Sequence, residues 1–497
     1  MSLSVAADVF AAAYDRGEAQ IVRRRLIDDL ETPISAYLKL RTGRRYAFLY
    51  ESVEGGAWRG RYSIITLDPD LVWRARGDVA EIARGVDVHL DRFAADDQPT
   101  LASLRALVEA SRFEIPAELP PMAAGLFGVF GYDMVRLVER LGPAHPDPLN
   151  LPDAVLTRPS VVAIFDAIAQ EIVLCAVVRP QAGLDAAAAH AAAEARLDGV
   201  AQELRRPLPA TERPRPRPQP PLTAPMTPEA FAEVVNKAKA YIAAGDIFQV
   251  VPSQRFESRF DLDPFAFYRS LRRSNPSPFL FYLDMGGFQM AGSSPEILVR
   301  LRDGKITLRP LAGTRRRGKT PAEDLALEHE LLADPKERAE HLMLLDLGRN
   351  DVGRVAEPAT VRVTQSFAIE RYSTVMHIVS NVEGDARKDL DPVDVLLAAL
   401  PAGTLSGAPK VRAMEIIDEL EPVKRGCVYA GAAGYISAGG AIDACIVLRT
   451  ALFKDGQLYV QAGCGVVSDS DPAAEYQETL DKSAALRRAA EEAWRFA

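Results

Sequence analysis

Residues 335–353 read PKERAEHLMLLDLGRNDVG, and the rest of the chain is organised around this stretch. Pro335 suits the first helical position, where its missing N–H costs nothing, and Asp334 before it is placed to cap the exposed amides. The run continues as helix to Gly348 and the Arg-Asn-Asp that follows. Ala339, Leu342, Met343, Leu344, Leu345 and Leu347 lie on nearly every side, which predicts a buried helix. Glu337 and Glu340 nevertheless share one face at i, i+3 spacing. Like charges so placed repel, and burying an unpaired carboxylate costs far more. Either the pair is solvated and assists the helix dipole, or a cation sits between the carboxylates, for which a hard divalent metal is the natural choice.

At 497 residues the chain exceeds one ordinary core, so two domains or one large layered body are expected. Its apolar fraction of 48% and charged fraction of 26% are those of a soluble globular protein. A net charge of -9 argues against nucleic acid as the main partner. No apolar run is long enough to span a bilayer, so no membrane partner is expected. The first residues lack a charged start followed by an apolar core, which speaks for a cytoplasmic location. The four cysteines (Cys175, Cys427, Cys445, Cys464) have no metal-ligand spacing and fit reduced thiols.

Taken in order, residues 1–20 read as an amphipathic helix. A short strand then leads through Glu31-Thr32-Pro33 into a short helix. RRYAFLYES (44–52), SIIT, LVWRAR and VDVHL read as strands, and 101–112 as a helix. GLFGVFGYDMVRLVERL (125–141) starts as a Gly-spaced strand and turns helical. A hairpin and the Ala-rich helix 184–205 follow. RPLPATERPRPRPQPPLTAPMT (206–227) is too rich in proline to join a sheet and reads as an extended connector or a disordered linker. It separates residues 1–205, an α+β region, from residues 228–497, where hairpins mix with helices over 264–273, 321–350, 392–400, 409–420 and from Asp471 onward. The class is α+β rather than alternating βαβ.

The last helix repeats the opening pattern. Asp471 caps, Pro472 takes the first position, and Glu475 and Glu478 follow at i, i+3. Lys482, one turn beyond Glu478, ordinarily means a surface ion pair of roughly 0.3–0.5 kcal/mol. Two such Glu pairs strengthen the case for Mg²⁺, which is usually held by one or two carboxylates plus water and substrate. Three Gly-rich segments read as turns able to receive an anion: LAGTRRRG (311–318), PAGTLSGAPK (401–410) and AGCGVV (462–467). None has the spacing of a Walker loop or a dinucleotide fingerprint. His377, in an apolar strand-like run, is a core histidine or a general base. Arg449 is a buried-charge candidate that needs a carboxylate partner, and Glu296 is its counterpart of opposite sign. These residues by themselves support an enzyme acting on a small polyanion.

SPEILVR, LRPLAGTRRRG, ERAEHLMLLDLGRNDVGRV, ERYSTVMHIVS, PAGTLSGAPKVRAMEIIDELE and DSDPAAEYQETLDKSAAL, in this order, resemble the chorismate-utilising enzymes, and within them their anthranilate-forming branch. DLETPISAYLKL, ESVEGGAWRGRYSII and GVFGYDMVR extend the resemblance to the first part of the chain. It implies two large antiparallel β-sheets in a sandwich with flanking helices. It also implies Mg²⁺ between chorismate and the two Glu pairs, with Glu340 and Glu478 as direct ligands and Glu337 and Glu475 in support. Gly313, Thr314, Thr404, Tyr429, Arg449, Gly463, Cys464, Gly465 and Lys482 match positions that hold the substrate. Glu296 takes the general-acid position and His377 that of the base. Gln249 stands where water-using relatives carry lysine, which favours ammonia as nucleophile. Ala312 stands where aminodeoxychorismate synthases often carry lysine.

The resemblance further implies a separate glutamine amidotransferase subunit in a heterotetramer of two of each. It implies feedback inhibition by tryptophan as well, through Glu51 and Ser52 together with Pro278, Phe279 and Leu280. Tyr50 and Leu280 depart from the usual residues there, and Cys464 replaces a common alanine. The alternatives are an aminodeoxychorismate synthase component and a silent tryptophan-sensing subunit; the latter is disfavoured because Glu340, Glu478, His377 and Lys482 are all retained.

Overall fold

A computed structural model describes residues 7–52, 60–208, 216, 218–372 and 375–497. Parts of the expected first helix, of the ESVEGGAWRG segment, of the proline-rich connector and of RYSTV lie outside the described residues. The expected α+β fold with large antiparallel sheets is what forms. Among the described residues, all strands but one short pair join edge to edge in a single closed antiparallel network.

Strands from before and after the connector alternate as neighbours in this network. Phe48–Glu51 lies between Tyr62–Arg76 and Phe279–Asp284. Gly125–Phe130 lies between Ala154–Asp166 and Ala432–Ser437. Burying both faces of such strands explains why GLFGVF is apolar throughout and wholly buried. Helices such as Pro33–Leu40, Ala186–Leu204 and Pro472–Glu492 cover the outer faces and pack their apolar sides onto one continuous core. All four cysteines are buried and free. Among the described residues, no helix is long and apolar enough to cross a membrane.

Several local expectations need correction. The segment expected as one helix over 321–350 is two, Pro321–Ala333 and Pro335–Gly353. The break is at Asp334, whose carboxylate accepts from the amides of Lys336 and Glu337 at 2.9 and 3.3 Å. Pro335 has no N–H with which to continue the first helix. The second helix is not buried all round: Ala339 is exposed and Leu342 is 57% exposed. Arg338, Asp346 and Arg349 share that solvated side, and an exposed leucine in such company is ordinary. VDVHL is a short helix, Val86–His89, rather than a strand. The helix expected after GLFGVFG is a 3₁₀ segment, Tyr132–Leu137. LAGTRRRG is not a turn but the strand Leu311–Arg316, bulged at Gly313, which adopts φ +70°. Such a conformation is cheap for glycine alone.

One buried ion pair ties these layers beneath the site. Arg425, 2% exposed, forks onto Glu421 with contacts of 2.9 and 2.5 Å and donates to the carbonyls of Leu405 and Val251 at 2.9 and 2.7 Å. Glu421 in turn accepts from the Ser253 amide and hydroxyl at 2.8 and 2.7 Å. Removing one partner would strand the other charge in the interior. Arg425→Met is therefore expected to cost about 3–5 kcal/mol of stability, read as a lowered urea midpoint; an unchanged midpoint would show that the pair carries no such weight.

Candidate active site

The two ExxE helices bring their glutamates within electrostatic reach of one another. Glu340, on Pro335–Gly353, is pushed above the usual carboxylate range by burial first and then by the charge of Glu337. Glu478, on Pro472–Glu492, adds to this rise from across the interhelical space, and Lys482 opposes it. Glu475 is pushed up by burial, with Glu478 contributing, and its Oε2 is buried with no hydrogen-bond partner. Two cations already engage these carboxylates. Arg315 binds Glu337 at 2.9 Å and also holds Glu330 and Asp334. Lys482 binds Glu478 at 2.5 Å and donates to the Gly463 carbonyl at 3.1 Å. Gln249 Nε2 reaches Glu340 at 3.5 Å. Among the described residues, no three His, Cys, Asp or Glu side chains already stand together as a formed metal cage.

An acid and a base with displaced titrations belong to the same site. Glu296 is 7% exposed, and burial raises its carboxyl from 4.5 to about 8. Thr404 Oγ1 donates to it at 3.3 Å, and Arg449 and Lys482 only partly offset the burial. The carboxyl therefore keeps its proton at neutral pH. His377 lies on the strand Val375–Asp385, antiparallel to Leu311–Arg316, with Thr314 as its partner in register. Its Nδ1 is 3.0 Å from the Gly313 carbonyl and 3.0 Å from Thr314 Oγ1. A carbonyl only accepts, so Nδ1 carries the proton and Nε2 keeps its lone pair. Burial lowers the imidazole's affinity for a second proton. The Tyr372 ring packs edge-on against it, centroids 5.4 Å apart.

Arg449 does not have the carboxylate partner that its sequence context calls for. Its guanidinium makes no hydrogen bond or ion pair among the described residues, and burial lowers its pKa while Tyr429, Glu478 and Glu296 pull the other way. Its backbone sits at φ 46°, a conformation that costs a non-glycine residue about 1 kcal/mol or more. A desolvated cation with an open fork is suited to an incoming carboxylate.

The glycines keep the backbone close to this space. A Cβ on Gly463 would lie 2.6 Å from the Pro252 carbonyl and 2.9 Å from the Tyr429 hydroxyl. One on Gly465 would lie 2.7 Å from Gln249 Nε2, and one on Gly313 3.1 Å from Glu337 Oε2. Cys464, between the two glycines, is buried and its thiol is held protonated, by burial and then by Glu475 and Glu478.

A second, separate cavity of about 710 Å³ gathers Glu51, Ser52, Pro278, Phe279 and Leu280 in its lining, with Tyr50, Arg61 and Arg300. The two sequence segments meet because their strands pair, Glu51 opposite Leu280 and Tyr50 opposite Phe281. The Glu51 carboxylate is already engaged, by Tyr268 at 2.6 Å and by Arg272 at 2.8 and 2.9 Å.

Residues 59–488 match the family described as chorismate binding enzyme. The chain belongs to that family. It is 57% identical over 489 residues to an anthranilate synthase component 1 of Cereibacter sphaeroides, covering 98% of each chain. It is 48% identical over 471 residues to the Pseudomonas aeruginosa protein of the same name, covering 93% of each. Among solved structures, anthranilate synthase component I from Streptococcus pneumoniae superposes with a TM-score of 0.76 at 37% identity, over 93% of this chain and 99% of that one. The fold extends to the Escherichia coli isochorismate synthase MenF, TM-score 0.69 at 19% identity, over 95% of each chain.

In this chorismate binding enzyme, several groups that shape the site escape a reading of the sequence. Arg315 was visible only as one of three consecutive arginines; its pairing with Glu337 depends on the bulge at Gly313. Tyr372 beside His377 has no local signal at all. Glu421 and Arg425, at i, i+4, look like an ordinary surface pair until burial is known.

Because the folded chain holds the Glu296 proton up to about 8 while an unfolded carboxyl releases it near 4.5, this residue makes the fold progressively less stable as pH rises between those values. Glu296→Gln removes that loss. Its stability relative to the parent is expected to rise between about pH 5 and about pH 8, measured by urea unfolding at both; a difference that stays constant would show an ionised Glu296.

Proposed function

We propose that the chain is the chorismate-using component of an anthranilate synthase, a lyase of tryptophan biosynthesis that joins ammonia to chorismate and releases pyruvate. One observation carries the reading. A protonated Glu296 and a neutral His377 with a free Nε2 flank a half-buried Arg449 that is unpaired among the described residues. That arrangement is suited to a dianionic ring that must lose a hydroxyl at one carbon and a proton at another.

Arg449 and the amides around Gly463 and Gly465 bind the substrate's carboxylates, and Tyr429 bounds the ring. Glu296 gives its proton to the C4 oxygen, which leaves as water while ammonia attacks C2. Thr404 orients the Glu296 carboxyl. His377 Nε2 then takes the C2 proton, its ring held by the Gly313 carbonyl. The C3–O bond breaks, the departing enolpyruvate takes up a proton at its methylene carbon to become pyruvate, and the ring becomes aromatic. Gln249, an amide, cannot serve as a base for water, and the Ala312 methyl cannot attack C2. Both features favour this reading over an isochorismate or aminodeoxychorismate synthase.

Mg²⁺ belongs to the same reading, held by Glu340 and Glu478 with Glu337 and Glu475 behind them. Supporting it are the mutual repulsion of carboxylates on facing helices, their all-oxygen donor chemistry and the orphaned Glu475 Oε2. When bound, the ion neutralises the substrate carboxylate and draws electron density from the ring.

A component 1 implies a second component. Ammonia would come from a separate glutamine amidotransferase, two copies of each chain forming a cytoplasmic heterotetramer. The 710 Å³ cavity is of a size for an amino acid such as tryptophan, and it is the site from which feedback inhibition would act.

Purified chain with chorismate, Mg²⁺ and ammonium is expected to produce anthranilate fluorescence. An aminated ring still carrying enolpyruvate would instead identify an aminodeoxychorismate synthase. Glu478→Gln is expected to lower Mg²⁺-dependent turnover by roughly 100-fold or more with the fold retained; unchanged turnover removes the ligand role. Ser52→Phe is expected to weaken tryptophan inhibition and leave uninhibited turnover in place; an unaltered inhibition curve excludes the cavity as the tryptophan site.

A further inference from the structure

Glu296 and Thr404 border a second, much smaller cleft of about 30 Å³. That is about the room one water occupies in the liquid; most of the wall is apolar, and the Glu296 carboxyl, the Thr404 hydroxyl and the Asp351 carboxylate are the polar groups a water there could bond. Asp351 forms another part of its wall, together with Arg309, Gly348 and Gly403. Asp351 is 3% exposed and pairs with Lys410, itself 9% exposed, at 2.7 Å. No step described above uses this pair. Burying an ion pair is often no more stabilising than a pair of well-packed apolar side chains, so its presence beside the acid is not accounted for by stability.

The reaction also leaves a need unmet. Once Glu296 has given up its proton, a carboxylate remains in a place that disfavours charge, and it must be recharged before the next turnover. The charged groups facing it on the substrate side are Arg449 and Lys482, which hold the substrate and Glu478. On the cleft side, Arg309 is bound to Glu370. Asp351 faces Lys410, with Arg354 farther off. Asp351 is thus a proton-accepting oxygen acid on the same cleft as Glu296, and burial raises its affinity for protons.

We propose that this cleft returns the proton to Glu296 in each turnover, through water, with Asp351 and its partner Lys410 at the far end. The inference rests on the role of Glu296 in the reading above. The balance closes. Glu296 protonates the C4 oxygen as the C4–O bond breaks and water leaves. Cleft water protonates the resulting carboxylate and is itself recharged by Asp351, which draws its proton from solvent by way of Lys410. The proton lost by the attacking nitrogen goes to solvent, and the C2 proton held by His377 is matched by the one the enolpyruvate methylene takes up, so nothing accumulates. Asp351 and Lys410 touch no substrate in this scheme; they are relay residues.

The test compares Asp351→Ala with the paired replacement Asp351→Leu/Lys410→Met, which leaves no unpaired buried charge if the single variant fails to fold. At saturating chorismate, Mg²⁺ and ammonium, both are expected to lose roughly 10- to 100-fold in kcat with an unchanged KM for chorismate. Both are also expected to show a larger solvent deuterium effect than the parent. Added formate is expected to restore turnover to Asp351→Ala, where it can occupy the vacated carboxylate position, and not to the paired replacement. Parental kcat in the paired replacement overturns the relay. So does a kcat loss with a parental solvent isotope effect, because that marks a purely structural pair. A parent chain that forms no anthranilate removes the functional reading itself, and the relay with it.

Discussion

The structure turns on keeping like charges together in a place only partly open to water. Glu340 sits near Glu337 on one helix and near Glu478 on another, and its carboxyl is raised by both burial and their charge. Such an arrangement persists only if the framework is rigid enough to hold it. Here two capped, proline-started helices supply that rigidity, each anchored by an aspartate that binds the first-turn amides. Arg315 and Lys482 temper the repulsion from the flanks. Two cations against four carboxylates leave this cluster short of positive charge.

Environment then separates groups of identical chemistry into different tasks. Glu296 and Glu478 are both glutamates, but Glu296 lies in the interior with a hydroxyl for company and stays protonated. Glu478 is half-exposed and paired with Lys482. His377 is held neutral by burial, with its tautomer set by one carbonyl. Among the described residues Arg449 has no hydrogen-bond or ion-pair partner, and its backbone is strained. Glu296, His377 and Arg449 differ from ordinary residues of their kinds only in what surrounds them.

The closed sheet does for the second cavity what the helices do for the first. Pairing Phe48–Glu51 with Phe279–Asp284 brings together two segments that lie on opposite sides of the connector. The same network continues through Ile442–Ile446, so that Cys445 lines that cavity while Arg449, a few residues on, lies within the field of Tyr429, Glu478 and Glu296.

Local interactions made much of this legible from the chain alone. The starts of the helices at Pro335 and Pro472, the Glu pairs they carry, the α+β class and the strand around His377 all follow from contacts between residues a few positions apart. Motifs quoted in order identified the family. What lay beyond reach depends on residues distant in sequence. Which side of Pro335–Gly353 is solvated follows from what covers it, so Ala339 and Leu342 look buried on paper and are not. The pairing of Arg315 with Glu337, the absence of a partner for Arg449 and the junction of Asp351 with Lys410 beside Glu296 arise only when the sheet closes. Charge and burial are properties of the assembled neighbourhood: a side chain's identity sets which proton it can hold, and the tertiary structure alone decides whether it holds it.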